Sequence, residues 1–173
     1  YGVRYMAEHL PELLVASSCS KNFGLYRERV GSLSVLGDNA TQADASLTHI
    51  NNVVRGNYSM PPSHGGAIVG EILGDAALHQ NWQAELTAMR ERINQLRVLL
   101  VDKLSGEGVD RDFSFIARQH GMFSFLGLSV AQVDQLREQF SIYMVGSSRV
   151  NIAGISQANI DYLAQSVAAV LAS

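Results

Sequence analysis

The residue pattern calls for an α/β chain in two parts joined by one long helix. Three observations carry that reading. Short β-rich apolar runs at 13–16 and 30–36 precede a segment with helical periodicity. From Ala76 to Leu104 an apolar face recurs over a stretch long for a globular domain. Beyond it, short strand-like runs alternate with capped helical segments. Residues 1–75 therefore read as the tail of one α/β domain, 76–104 as an interdomain helix, and 105–173 as a small α+β domain. The 173 residues are 47% hydrophobic, enough for one sizeable core or parts of two.

Taken in order, a helical opening stops at Pro11, because the residue before proline disfavours helix. Leu13–Ala16 reads as a buried strand and Val30–Leu36 as a second. Asn39 with Gln42 forms a capping-box pattern ahead of Ala43, Leu47, Ile50 and Val54 at helical spacing. Pro61 and Pro62 break that helix. Gly65–Leu73 reads as a short helix whose glycines let another backbone approach. In the long segment, Leu78, Trp82, Leu86, Met89, Ile93, Leu96, Leu100 and Leu104 recur at steps of three and four, and the glycines after Ser105 end it. Phe113–Ala117, Met122–Leu126, Ile142–Val145 and Arg149–Ala153 read as strands. Ser129 with Gln132 caps a helix between them, with Leu128 stapled to Val133. Ser156 opens a last helix with Ile160, Leu163, Val167 and Leu171 on one face.

The net charge of −3 and a pI near 5.9 give no footprint for nucleic acid or an anionic membrane. No apolar run is long enough to span a bilayer. Cys19 stands alone, which rules out an internal disulfide and fits a reducing, cytoplasmic setting. His9, His49, His64, His79 and His120 follow no ligand spacing, so no metal is expected. Glu28 and Asp44 read as solvated charges, and Cys19 as a small buried apolar group.

One stretch stands out chemically: Ser18-Cys19-Ser20-Lys21-Asn22-Phe23-Gly24-Leu25-Tyr26-Arg27-Glu28-Arg29-Val30-Gly31. An amine here can form an imine with an aldehyde, while the Ser18 and Ser20 hydroxyls and the Arg29 guanidinium can grip a phosphate. Such an amine must shed its proton before attack, which a nearby cation and partial burial favour. A surface lysine among polar neighbours is the plain alternative; the surrounding residues favour chemistry.

Along its whole length this stretch resembles the lysine signature of class I pyridoxal-phosphate-dependent aminotransferases, and the chain as a whole is similar to their aspartate/aromatic subgroup. That resemblance implies fold type I: a large α/β domain around a mainly parallel sheet, plus a smaller α+β domain, of which this chain corresponds to the C-terminal part. It implies pyridoxal 5'-phosphate as cofactor, with Lys21 forming the imine and moving the substrate proton, and with Ser18, Ser20 and Arg29 holding the phosphate. Ser147-Ser148-Arg149-Val150-Asn151-Ile152-Ala153-Gly154 is similar to the segment whose arginine binds the substrate α-carboxylate, a planar fork matching a planar anion.

Phe123 resembles the family's pocket phenylalanine, although a core position suits it almost equally. Arg55 and Ser59 lie in Arg55-Gly56-Asn57-Tyr58-Ser59-Met60-Pro61-Pro62, which looks like the segment reaching into the partner subunit's site in a homodimer. There the arginine meets the distal carboxylate of a dicarboxylic substrate; the alternative is an arginine complementing the dipole at a helix end. Two positions depart from the pattern. Met60 stands where asparagine or serine is usual, and Arg27 where asparagine or glycine is usual. An adaptable apolar side chain at 60 favours aromatic substrates.

The implied activity is transamination between an aromatic or dicarboxylic amino acid and a 2-oxo acid, with aspartate aminotransferase as the alternative within the subgroup. Outside it, the alternatives are the aminotransferase-like ligand domain of a transcription regulator, or a packing piece only. The acidic balance argues against the regulator. The chain begins at Tyr1, so the partner of the cofactor's pyridine nitrogen is expected upstream of it, and the span alone is expected to be inactive.

Overall fold

A computed structural model describes residues 1–172. The chain divides into two compact units, residues 1–84 and 85–173.

The first unit opens with helix α1 (Gly2–His9). Strands β1 (Leu13–Ser18) and β2 (Gly31–Leu36) follow, forming an antiparallel two-stranded sheet. Leu13 lies opposite Leu36 and Ser18 opposite Gly31. The strand predicted at 13–16 thus runs two residues further, and the lysine stretch is the connection between the two strands. A Cβ on Gly31 would collide with the Ser17 carbonyl oxygen, so this rung requires glycine.

Helix α2 (Ala40–Asn57) starts at the predicted cap: the Gln42 N–H donates to Asn39 Oδ1 at 3.0 Å. The reciprocal bond differs from a simple capping box. Gln42 Oε1 accepts from Asp38 N–H rather than from Asn39. Helix α3 (His64–Gly74) brings Gly65 against the Glu28 and Val30 side chains, where a Cβ would not fit. The close neighbours are side chains, where the sequence pattern pointed to another backbone.

Helix α4 (Ala76–Gly106) is capped by Asp75 Oδ1, which accepts from Leu78 N–H at 2.9 Å. Its residues from Glu85 onward belong to the second unit. That unit continues with α5 (Phe115–Arg118), β3 (Phe123–Phe125), α6 (Val130–Phe140), β4 (Arg149–Asn151), a 3-10 turn at Ile152–Gly154, and α7 (Ile160–Ala172). Strands β3 and β4 pair antiparallel, Phe123 opposite Asn151 and Phe125 opposite Arg149. The strands here are therefore antiparallel pairs, and no parallel pairing occurs among the described residues.

Helix α6 starts on the full capping box predicted from Ser129 and Gln132. Ser156 accepts the first helical N–H groups of the turn leading into α7, which becomes regular helix at Ile160.

Two predicted strands are absent. At 113–117 the Ser114 N–H and hydroxyl both donate to the Asp112 carboxylate, at 2.7 and 2.9 Å. This local turn competes with extended pairing and starts α5 instead. The same two bonds hold the Asp112 carboxyl below the usual carboxylate range. At 142–145 the Ile142 N–H bonds back to Leu136 O at the end of α6, and Val145 O accepts from Ser148 N–H in a turn. These groups serve a helix end and a turn, so no ladder forms.

Burial is uneven. The buried apolar residues all lie between Leu96 and Val170, contributed by α4 (Leu96, Leu100, Leu104), α6 (Val133, Leu136), α7 and the segments between. The apolar face of α4 is buried only from Leu96 on; Leu78 and Met89 are exposed. In the first unit Gly65 alone is buried among the described residues, and Leu14 is 71% exposed.

Leu104→Ala in the 173-residue chain should therefore cost about 2–5 kcal/mol, from lost burial plus a cavity. Leu14→Ala should cost no more than about 0.5 kcal/mol. Urea denaturation of the two variants checks the contrast; equal losses would contradict the placement of the core.

Candidate active site

The connection from β1 to β2 is held at both ends. Cys19 N–H donates to Val30 O at 2.9 Å, extending the ladder one step beyond the Ser18–Gly31 rung. Ser18, Ser20 and Arg29 are thereby kept at the same end of the hairpin. The Ser18 hydroxyl donates to Ser20 Oγ at 2.9 Å, and Ser20 N–H donates to Ser18 Oγ at 3.2 Å. Lys21 Nζ sits over the Tyr26 ring, 4.2 Å from its centroid. Tyr26 also accepts on its carbonyl oxygen from Arg29 Nη1 at 3.1 Å. Arg29 is exposed, and this bond leaves its fork with donors to spare.

The middle of the loop is anchored by the chain's single tryptophan. Trp82 Nε1 donates to Asn22 O at 2.8 Å, and its ring stacks on Phe23 with centroids 4.6 Å apart and planes 11° apart. Trp82 was legible in the sequence only as a member of the apolar face of α4. Its link to the residues next to Lys21 comes from folding across 60 positions. Glu28, expected to be solvated, instead pairs with His64 Nδ1 at 2.9 Å. Helix α3 delivers that histidine because Gly65 lets it lie close. Cys19 is half-buried.

Arg55 and Ser59 lie elsewhere in the first unit. Arg55 is exposed in the last turn of α2, and Ser59 follows the helix in a left-handed conformation, φ 66°. Met60 beside it is 78% exposed.

In the second unit Arg149 lies over the face of Phe123, its guanidinium carbon 4.7 Å from the ring centroid. Both line a cavity of about 440 Å³ with Tyr143, Asn151 and Tyr162. The core alternative for Phe123 fails. Ser124 is the residue β3 buries, and the two phenylalanines flanking it are exposed.

Ser148, immediately before Arg149, was missed as a site residue. It is fully buried with φ 59°. Its hydroxyl accepts from Gly127 N–H at 2.9 Å and Leu128 N–H at 3.2 Å, and its carbonyl accepts from Leu126 N–H at 3.0 Å. Among the described residues, the non-glycine positions with positive φ are Arg29, Ser59, Ser141 and Ser148. Ser141 is a helix C-cap. The other three, Arg29, Ser59 and Ser148, hold non-glycine backbone in the left-handed region.

Comparison with known proteins shows the family to which the chain belongs. The family model for aminotransferase class I and II matches residues 1–167. The aspartate aminotransferase of Haemophilus influenzae is 53% identical over 171 residues, covering 99% of this chain and 43% of that protein. The aromatic-amino-acid aminotransferase of Pseudomonas aeruginosa is 45% identical over 172 residues, again 99% and 43%. The crystal structure of the aromatic-amino-acid aminotransferase of Burkholderia pseudomallei, covalently bound to pyridoxal phosphate, superposes with a TM-score of 0.92 at 47% identity, covering 98% of this chain and 42% of that one. The chain thus spans less than half the length of the curated relatives it matches.

Ser148→Ala should destabilise the protein by about 1–3 kcal/mol, since two N–H groups lose a buried acceptor. Ser148→Gly loses the same acceptor but relaxes the positive φ, so its loss should be smaller. Urea titration of both variants checks the order; a neutral Ser148→Ala would contradict it.

Proposed function

Because the chain belongs to the class I and II aminotransferase family, we propose that the whole protein is a pyridoxal-phosphate-dependent transaminase. It would exchange an amino group between an aromatic or dicarboxylic amino acid and a 2-oxo acid. The observation that carries this reading is the β1–β2 connection, which sets the Ser18 and Ser20 hydroxyls 2.9 Å apart and turns both Lys21 and Arg29 onto Tyr26. That donor set fits an aldehyde bearing a phosphate: hydroxyls and a guanidinium suit phosphate oxygens, and the amine suits the carbonyl carbon. When bound, the cofactor supplies the carbonyl and an electron-withdrawing ring.

The chain's residues then divide the remaining work. Ser18 and Ser20 would hold the phosphate by hydroxyl hydrogen bonds, the Ser18 hydroxyl turning from Ser20 Oγ to do so, and Arg29 would offset its charge. Lys21 Nζ would anchor the cofactor and would move the proton at the substrate α-carbon. It must leave the Tyr26 ring face to do so. Arg149 binds the α-carboxylate in two parallel hydrogen bonds. Phe123, beneath that guanidinium, fixes its plane and lines the substrate side. Arg55 meets the distal carboxylate of a dicarboxylic substrate in the partner subunit's site, which makes the protein a homodimer with shared sites. Met60 favours aromatic substrates as the main class. Arg55 supports aspartate as the second.

The span of 173 residues is proposed not to turn over alone. Among the described residues its Lys21 unit buries no apolar side chain, so the hydrogen bonds and ring stacking that hold the loop have no packed core behind them. Purified span given pyridoxal phosphate and either aspartate or phenylalanine should show no turnover; substantial activity would refute this.

Lys21→Ala in the whole protein should abolish transamination, and near-normal turnover would end the assignment. Arg29→Ala should weaken cofactor binding by roughly 1.5–3 kcal/mol, read by cofactor titration, without changing substrate preference.

Arg149→Ala should raise KM for every amino acid, since all carry the α-carboxylate. Arg55→Ala should damage aspartate and glutamate far more than phenylalanine. Steady-state kinetics on the three substrates separates the two roles, and equal losses in the Arg55 variant would refute its assignment.

A further inference from the structure

We propose that Arg97 is a positioning residue for substrate-carboxylate recognition, acting on Arg149 and Phe123 through the β3–β4 ribbon. The inference rests on Arg149 being the carboxylate arm.

Arg97 projects from α4 and is fully buried. Its Nη2 donates to Gly121 O at 2.7 Å and Phe123 O at 3.1 Å. Its Nη1 donates to Ile116 O at 3.3 Å and to Ser124 Oγ. The Ser124 hydroxyl in turn donates to Gln119 Oε1 at 2.7 Å. Every one of these acceptors is neutral, and Nε has no partner among the described residues. Burial pushes the guanidinium below its usual range.

A buried cation without a carboxylate is costly, and an apolar side chain of similar volume would serve packing as well or better. What the fork does that an apolar residue cannot is fix at once a carbonyl at the start of β3 and one in the approach to it. Gly121 O and Phe123 O point to Arg97, while Met122 O between them accepts from Ile152 N–H at 2.8 Å, just past β4. The strand is thus held by the guanidinium through alternate carbonyls and by the β4 segment through the one between. Arg92, on the same helix, holds the segment following β4: Nη1 donates to Ala153 O at 3.2 Å and Nη2 to Ile155 O at 2.9 Å. Helix α4 therefore holds β3 directly and β4 through the segment that follows it, in a ribbon only three residues long on each side. Phe125 pairs with Arg149 in that ribbon, and Phe123 carries the ring beneath its guanidinium. Two-point carboxylate binding depends on sub-ångström placement, so loosening β3 should appear as lost substrate affinity.

The test is a double-mutant cycle in the whole protein. Arg97→Met, Arg97→Lys and Ser124→Ala are measured alone and combined with Arg149→Ala, reading KM and kcat for aspartate and phenylalanine and the affinity for pyridoxal phosphate. Arg97→Met should raise KM for both substrates roughly tenfold, with kcat and cofactor affinity near normal. Arg97→Lys should recover part of the loss, and Ser124→Ala should show a smaller one. In the Arg149→Ala background the Arg97→Met effect should vanish, because the arm it positions is gone. A folded Arg97→Met with normal KM, or an effect that adds undiminished to Arg149→Ala, overturns the proposal. If Arg97→Met does not fold, Ser124→Ala decides, and a normal KM there overturns it. An Arg149→Ala variant with normal KM overturns the carboxylate reading itself, and the proposal with it.

Discussion

One backbone hydrogen bond, Cys19 N–H to Val30 O, sets the geometry on which the candidate site depends. It closes the β1–β2 ladder beyond Ser18 and Gly31, so residues eight apart in sequence, Lys21 and Arg29, leave and return at one end of a hairpin. Gly31 makes this closure sterically possible, since any side chain there would strike the Ser17 carbonyl. The remaining contacts of the loop then have fixed points to work from: the Ser18–Ser20 hydroxyl pair, the lysine over Tyr26, and the Trp82 bond to Asn22.

The two units are stabilised in different ways. The second has a contiguous apolar core to which α4, α6, α7 and the segments between them contribute. Of its buried polar residues, Arg97, Ser124 and Ser148 lie at or beside the strands that carry Phe123 and Arg149, while Ser166 lies on α7. The first unit is held by a sheet ladder, caps and stacked rings, with little apolar burial. Hydrogen bonds of that kind each contribute only about 0.5–1.5 kcal/mol net. The chemistry proposed for Lys21 thus sits in the part of the chain with the weaker internal support.

Much of this was legible in the residues. Long periodic helices were read to within a few positions, because an apolar stripe of that length has one stable solution. The caps at Asn39 and Ser129 were visible as residue pairs three apart. Two strands were misread because the competing interactions are local but outside the run itself: Asp112 bonding to Ser114, and the end of α6 recruiting Ile142. Lys21, Ser18, Ser20, Arg29 and Arg149 stood out by motif. Ser148, Trp82 and Arg97 did not. A serine with positive φ is indistinguishable from any other in sequence, and a buried arginine in an amphipathic helix looks like one on its polar face. Their partners lie 20 to 60 residues away and are found only by folding.

The central claim is that Lys21 carries the cofactor. The lysines of this chain are Lys21 and Lys103, and Lys103 is paired with Asp161 at 2.6 Å, so the alternatives within it are few. The most direct measurement is borohydride reduction of the whole protein with pyridoxal phosphate, followed by peptide mass mapping. The account predicts a reduced pyridoxyl-phosphate adduct on the peptide containing Lys21, absent from Lys21→Ala. An adduct confined to any other lysine, or one persisting unchanged in the variant, would contradict it.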